Sequence, residues 1–316
     1  EGAEATVERL RELKERYCGN EEIVLAYAKG LFNLSCNQGI EGAEATVERL
    51  RELKERYCGN EEIVLAYAKG LFNLSCDQGI EGAEATIERL REVQERYYGN
   101  EEIVLEYAKG LVNLSCDQGV EEAEATVERL AELCKQYLGN QEIASEYAKG
   151  LVNLSCDQGI EGAEASVERL RKLQKRYCGN EEIALAYASG LVNLTGKQGV
   201  GGAETSVERL GKLRERYCEN EEIVLEYAKG LVNLSDGQTI DEIHETIQRL
   251  KKLYHAYFEN EEMNVAYAMG LVNLAQKQKI QEAQVTISKI ESLCQKYPEN
   301  EKVKDILREL AKLQDR

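Results

Sequence analysis

Hydrophobic positions return along this chain in two alternating patterns, and each predicts a helix. In the first, Ala3, Val7, Leu10, Leu13 and Tyr17 recur at intervals of three and four, the spacing of an amphipathic helix. The opposite face carries Glu4, Glu8, Arg9, Arg11, Glu12, Glu15 and Arg16. Its i,i+4 pairs, Arg11 with Glu15 and Glu12 with Arg16, contribute only about 0.2–0.5 kcal/mol each. The pattern is that of a solvated outer helix. Gly19 then reads as a C′ stop and Asn20 as an N-cap, with Glu21 and Glu22 opposing the dipole of the helix that follows. That second helix, from about Glu21 to Gln38, is apolar around most of its circumference. Ile23, Val24, Tyr27, Leu31 and Leu34 lie on one side, and Leu25, Ala28, Phe32 and Cys36 on the other. A helix sandwiched between neighbours looks like this. At about 100° per residue, only one sector roughly 80° wide stays polar. It holds Glu22, Lys29, Asn33 and position 26, and it is predicted to form an exposed inner surface.

The two helices together fill 40 residues, and the block then begins again at Glu41 and keeps returning almost to the C-terminus. A fixed period of this length is the signature of a solenoid, in which each unit buries its apolar face against its neighbours. Units start near residues 1, 41, 81, 121, 161, 201, 241 and 281, which predicts one elongated repeat domain over 1–316. Mid-helix Gly30 returns as Gly70, Gly110, Gly150, Gly190, Gly230 and Gly270, although glycine there costs about 1 kcal/mol relative to alanine. Close approach of a neighbouring helix is the expected compensation. The last unit runs EKVKDILRELAKLQDR, where Tyr27, Gly30 and Asn33 of the first copy become Leu307, Leu310 and Leu313. It reads as a capping helix over about 300–314. Residues 1–40 differ from 41–80 only at Asn37 against Asp77. The first copy is therefore a full one, the chain is expected to begin inside a longer natural protein, and an uncapped apolar end is expected to favour stacking on another chain.

One proline and no tryptophan, with abundant Glu, Leu, Ala, Lys and Arg, agree with an all-helical chain. The net charge of −18 argues against a nucleic-acid or anionic-membrane partner and favours neutral or basic ones. That charge is uneven, since residues 241–316 hold 13 acidic and 12 basic residues. No run approaches 18 consecutive apolar residues, so no membrane span is expected. Cys18 and Cys36 close successive helices roughly 25 Å apart, and equivalent cysteines one repeat apart are about 10 Å from each other, beyond disulfide reach. All ten cysteines are therefore expected to be thiols, and the chain to work in a reducing, cytoplasmic compartment.

From the second helix onward, YAKGLFNLSCDQGIEGAEATVERL resembles a tetratricopeptide repeat: a glycine-bearing inner helix, a short turn ending in Gly79, and an outer helix opening on Ala83. Ala83, Ile87 and Leu90 reproduce the i, i+4, i+7 apolar positions of that family's second helix, and the turn is similar to that of Sel1-like repeats. Ala66, Lys69 and Asn73 depart from the family's pattern, and the unit is longer than the usual one. The resemblance implies an all-α, right-handed superhelix of about eight helical hairpins with a C-terminal capping helix, binding protein or peptide in its concave groove.

Within the polar sector the asparagine of the first copy returns unchanged as Asn33, Asn73, Asn113, Asn153, Asn193, Asn233 and Asn273. Packing does not demand a mediocre helix former at such a place. Two roles remain open. The amides form a ladder that holds the backbone of an extended peptide, as the resemblance implies for some tetratricopeptide and armadillo arrays, or each one bonds across the interface between adjacent inner helices. Lys69, Lys109 and Lys149, which become Ser189 and Met269, and Glu106, Glu146 and Glu226 at position 26 are the neighbours expected to set side-chain selectivity. The Tyr17 and Tyr27 series sit at apolar spacing and read as core.

Catalytic chemistry has little to draw on. His244 and His255 lie three turns apart on one outer helix, and neither metal-ligand spacing nor a phosphate loop nor a nucleophile set occurs. No enzymatic activity, metal or cofactor is expected. The sequence predicts a non-enzymatic scaffold for a neutral to basic protein or peptide. A self-associating structural array and an engineered consensus repeat are the alternatives.

Overall fold

A computed structural model describes residues 2–17 and 19–314, without the side chains of 312–314, so Cys18 and the side chain of Leu313 lie outside the described residues. The described residues form helices and turns with no strand. By its internal contacts the chain divides into two compact units, Glu1–Leu154 and Ser155–Arg316. The first contains α1 (Ala3–Arg16), α2 (Glu21–Ser35), α3 (Ile40–Arg56), α4 (Glu61–Asp77), α5 (Ile80–Arg96), α6 (Glu101–Asp117), α7 (Val120–Gln136) and most of α8 (Gln141–Asp157). The second contains α9 (Ile160–Arg176), α10 (Glu181–Thr195), α11 (Val200–Arg216), α12 (Glu221–Gly237), α13 (Ile240–Ala256), α14 (Glu261–Lys277), α15 (Ile280–Cys294) and α16 (Glu301–Gln314).

In each unit the helices stack in chain order as helical hairpins, the arrangement of a repeat solenoid. Each of α2, α4, α6, α10, α12 and α14 packs on the outer helices before and after it, and α2, α4 and α6, like α10, α12 and α14, pack directly on one another. The near-continuous apolar circumference follows from this sandwiching: Ile63, Val64, Ala68 and Leu71 of α4 are fully buried, as are their counterparts Ile183, Ala184, Ala188 and Leu191 of α10. Outer helices bury one stripe only, such as Ala43, Val47, Leu50 and Leu53 of α3. Tyr27, Tyr67, Tyr107, Tyr187, Tyr227 and Tyr267 are core residues, whereas Tyr17 is half exposed. The last helix, α16, packs on α14 and α15 and takes the inner position, as a capping helix should.

Inner helices begin at an asparagine cap whose side-chain oxygen accepts a backbone N–H, as Asn140 does from Ile143 at 2.9 Å. Two boundaries differ from the sequence expectation. Gly19 is no left-handed C′ stop, because no glycine among the described residues has positive φ. Instead α1 ends at Tyr17 (φ −121°, ψ 52°), and the chain turns as the Asn20 N–H donates to the Tyr17 carbonyl at 2.9 Å. Outer helices also open earlier than Ala83, at Ile80, directly after the extended Gly79.

The mid-helix glycines mark close approach, as expected. A Cβ added to Gly190 would lie 2.6 Å from Leu170 Cδ1 and 3.4 Å from Val167 Cγ2, two buried side chains of the preceding outer helix. Gly190→Val is therefore expected to destabilise the chain by about 2–3 kcal/mol through overpacking. In a Leu170→Ala background the same change should cost much less, and chemical denaturation of the four members of this cycle reads the coupling.

Candidate functional site

From Asn73 onward the asparagine series sits half-buried at the seam between successive inner helices, and the structure gives each of these amides a partner in the repeat before it. Asn73 Nδ2 donates to Ser35 Oγ at 3.2 Å and Cys36 Sγ at 2.9 Å, and Asn113 Nδ2 donates to Cys76 Sγ at 3.0 Å. Asn153 Nδ2 reaches Ser115 Oγ, Cys116 Sγ and the Val112 carbonyl at 3.1, 2.9 and 3.3 Å. In the second unit Asn193 Nδ2 donates to Ser155 Oγ at 3.0 Å, Asn233 Nδ2 to Thr195 Oγ1 at 3.1 Å, and Asn273 Nδ2 to Ser235 Oγ at 2.8 Å. Asn33, in the first repeat, is exposed.

The hydroxyls fix which way each amide points. Ser35, Ser75, Ser115, Thr195 and Ser235 each donate to the carbonyl three residues back in their own helix, at 2.7 Å. Having spent its proton, such an oxygen can only accept, so it is the NH2 side of the asparagine that faces it. The thiols play a parallel part: Cys76 Sγ–H donates to the Phe72 carbonyl at 3.3 Å, and burial raises the Cys76 and Cys156 thiols above their ordinary pKa. From Asn73 to Asn273, each amide thus places at least one of its two N–H groups across a junction between repeats.

Position 26 differs from the exposed selectivity element expected of it. Glu106, Glu146 and Glu226 are only 5%, 8% and 9% exposed. Each accepts from the lysine three residues on, Lys109 at 3.0 Å, Lys149 at 2.8 Å and Lys229 at 2.6 Å. The sector narrows because neighbouring inner helices close over it. The same position is occupied by buried Ala66, Ala186 and Ala266, so the glutamates are tolerated variants of a packing site. Lys69 stays half-exposed, and Ser189 and Met269 take the lysine's place further along.

Three further ladders escaped the sequence reading. The cap asparagines use their amide nitrogens as well: Asn100, Asn140 and Asn220 donate to Glu61, Glu101 and Glu181 one repeat earlier, at 2.7, 2.6 and 2.7 Å. Tyr97 and Tyr217 hydroxyls donate to the Cys58 and Cys178 carbonyls, both at 2.9 Å. At the tight turns a glutamine links three segments. Gln118 Oε1 accepts from Thr126 at 2.7 Å while its Nε2 donates to Glu84 of the preceding outer helix at 3.1 Å. A signal for the last was present, since a glutamine closes all seven turns and Thr or Ser follows eight residues later every time.

In the second unit an open groove of about 630 Å³ runs over α12, α14 and α16, with Leu225, Val265, Met269, Val272 and Ile306 as its apolar lining and Lys229, Asn233 and Asn273 among its polar residues. Neither histidine belongs to a cluster. Both are exposed, and no group of His, Cys, Asp or Glu able to hold a metal occurs among the described residues. The nine described cysteines form no disulfide, and no helix among the described residues is long and apolar enough to cross a membrane.

The chain is similar in fold to the crystal structure of an engineered protein, with 21% identity and a TM-score of 0.53 over 98% of this chain and 78% of that one. Two weaker likenesses carry no weight for the fold. One is to the crystal structure of another engineered protein, with 21% identity and TM-score 0.48 over 73% of this chain and 97% of that chain. The other is to a structure from work on a phosphorylation switch that controls the interaction between cadherin and beta-catenin, with 13% identity and TM-score 0.44 over 99% and 67%. No protein-family model matches the sequence, and no curated protein matches it. The resemblance to tetratricopeptide and Sel1-like repeats rests on the residues that carry it.

The buried glutamates invite an asymmetric test. Glu106→Ala installs the residue that Ala66 already places there and is expected to change stability by less than about 0.5 kcal/mol. Lys109→Ala leaves the carboxylate buried without its partner and should cost about 1 kcal/mol or more, as measured by urea denaturation.

Proposed function

We propose that this chain is a non-enzymatic repeat scaffold whose inner-face asparagines serve the array itself. The observation that carries this role is the direction of the amides. From Asn73 to Asn273, the amide nitrogens donate to a hydroxyl, thiol or carbonyl of the preceding repeat. A buried donor with a built partner contributes about 0.5–1.5 kcal/mol, and leaving its acceptor unmatched costs more. Repeated at every junction, such bonds make nearest-neighbour coupling the main determinant of how far the array stays ordered.

An engineered consensus repeat is the second reading. Two observations favour it: the likeness to the crystal structure of an engineered protein, and the single difference between residues 1–40 and 41–80. Peptide capture along the ladder would have to compete with the bonds already made there. It would draw on groups such as those of the open groove, with a neutral to basic, extended segment as its ligand.

A triple substitution separates the roles. Asn73→Ala, Asn113→Ala and Asn153→Ala together should lower the thermal midpoint by several degrees and speed amide hydrogen exchange in α4, α6 and α8, without altering retention of a pool of extended neutral and basic peptides. Unchanged stability with lost peptide retention would overturn the scaffold role.

A further inference from the structure

The outer helices of the second unit segregate their charges along their length. Their first halves are acidic: Glu161, Glu164 and Glu168 in α9, Glu204 and Glu208 in α11, Asp241, Glu242 and Glu245 in α13. Their last two turns are the reverse. Residues 169–176 hold five Arg or Lys and no acid, residues 209–216 hold four against Glu215, and residues 249–256 hold three and no acid. The corresponding turns of α1, α3, α5 and α7 mix the signs, with thirteen basic residues against seven acidic. In a chain of net charge −18, the last two turns of these outer helices are strongly cationic, with the acidic starts of the inner helices, such as Glu181, Glu182, Glu221 and Glu222, following across the turn.

The structure makes that surface continuous across three helices. Gln174 of α9 donates to the Tyr217 hydroxyl after α11 at 3.4 Å. Arg209 of α11 hydrogen-bonds the Tyr187 hydroxyl, while Arg171 of α9 donates to both carboxylate oxygens of Glu168 at 2.7 and 2.6 Å. Arg214 of α11 and Arg249 of α13 stand over the same Tyr227 ring, 5.1 and 5.4 Å from its centroid. These tyrosine contacts belong to the common framework, since Arg49 and Arg89 donate to the Tyr27 and Tyr67 hydroxyls in the same way. Lys175, Lys212 and Lys252 are exposed and form no ion pair among the described residues.

A comparison with the first unit shows what has changed. There, a cavity of about 390 Å³ between α3 and α5 brings Arg51, Arg89 and Arg96 together with Glu55 and Glu92, and Arg51 donates to Glu55 at 2.8 Å. Three repeats later the positions of Glu55 and Glu92 are Lys175 and Lys212. Both carboxylates of the lining have become cations, while Arg171, Arg209 and Arg216 keep the places of the three arginines and Gln174 replaces Lys54.

We infer that the ends of α9, α11 and α13 form a docking surface for a short acidic polypeptide segment. Three helices about 10 Å apart give it a width of about 20 Å, which an extended chain crosses in about six residues at roughly 3.3 Å each. The acidic first halves of the same helices border the patch, within a turn or two. With a screening length of about 8 Å at physiological ionic strength, they repel a broad polyanion such as a duplex or a charged bilayer. A narrow Glu- and Asp-rich strand laid across the three helix ends avoids them.

The test uses the full chain and a fluorescein-labelled octaglutamate peptide, followed by anisotropy at low and at high salt. Binding is expected at low salt, lost as salt rises, and weakened at least about tenfold by Lys175→Glu with Lys212→Glu. This double change restores the residues that α3 and α5 carry in the same framework, so circular dichroism should be unaltered. Lys175→Gln with Lys212→Gln provides a milder pair, expected to weaken binding by a smaller factor. Absence of peptide binding at low salt, equal affinity of both double variants and the parent, or tighter binding of a DNA duplex or of phosphatidylserine vesicles would overturn the inference.

Discussion

One amide per inner helix, donated backward to the preceding repeat, is the constraint on which the rest of the stack depends. Inner helices bury almost their whole circumference, so a polar group at their seam that finds no partner among the described residues, such as the Asn264 amide nitrogen, carries a desolvation cost. The asparagine of the ladder avoids this by pairing with a hydroxyl whose own proton is already committed to its helix, as in the chain from Asn153 to Ser115 to the Val112 carbonyl. The close contact at the mid-helix glycine acts on the other side, fixing how deeply an inner helix such as α10 sits against α9.

Around this seam the other polar ladders divide the work. Cap asparagines hold the start of each inner helix twice, once through an oxygen that accepts from its own backbone and once through a nitrogen that reaches a glutamate one repeat earlier. Glutamines hold the turns, and the outer tyrosines tie helix ends to carbonyls of the previous unit. Each bond is modest, and many are partly exposed. Their effect comes from repetition, because in a one-dimensional array the weakest junction limits cooperativity. Surface ion pairs such as Arg51 with Glu55 add little to this. Their significance is electrostatic: where such carboxylates are exchanged for lysine, as on α9 and α11, a balanced surface becomes a charged one.

Much of this was legible in the residues. Apolar periodicity located every helix pair, Asn20 and its successors marked the inner-helix starts, and the glycine repeated at mid-helix pointed to the tight contact later found at Gly190. The errors are equally instructive. Gly19 suggested a left-handed stop, yet Glu219, Glu259 and Glu299 occupy the same slot in later copies, and glutamate does not favour that conformation. Comparison among the copies would have excluded it. Position 26 looked exposed because a helical wheel treats the helix as isolated. Burial of Glu106 comes from adjacent helices, whose closeness no single-helix projection contains. The turn glutamine was overlooked for a related reason, since its two partners lie eight residues ahead and 34 residues behind, outside any local pattern.

The persistence of the asparagine while its surroundings drift also has a physical explanation. Its partners are of three kinds, and they are interchangeable. Where the thiol is present, as at Cys36 and Cys116, the amide uses it; where that slot holds Gly196 or Asp236, Asn233 and Asn273 keep the carbonyl that Asn153 also reaches, at Val192 and Val232, 3.1 and 3.2 Å away. A hydroxyl accompanies each of these four amides, whether from Ser35, Ser115, Thr195 or Ser235. A donor served by several acceptors tolerates the loss of any one of them, whereas the acceptors have no substitute for the donor. The side chain that supplies two N–H groups on a short stem is therefore held fixed, and the residues that receive them are free to change.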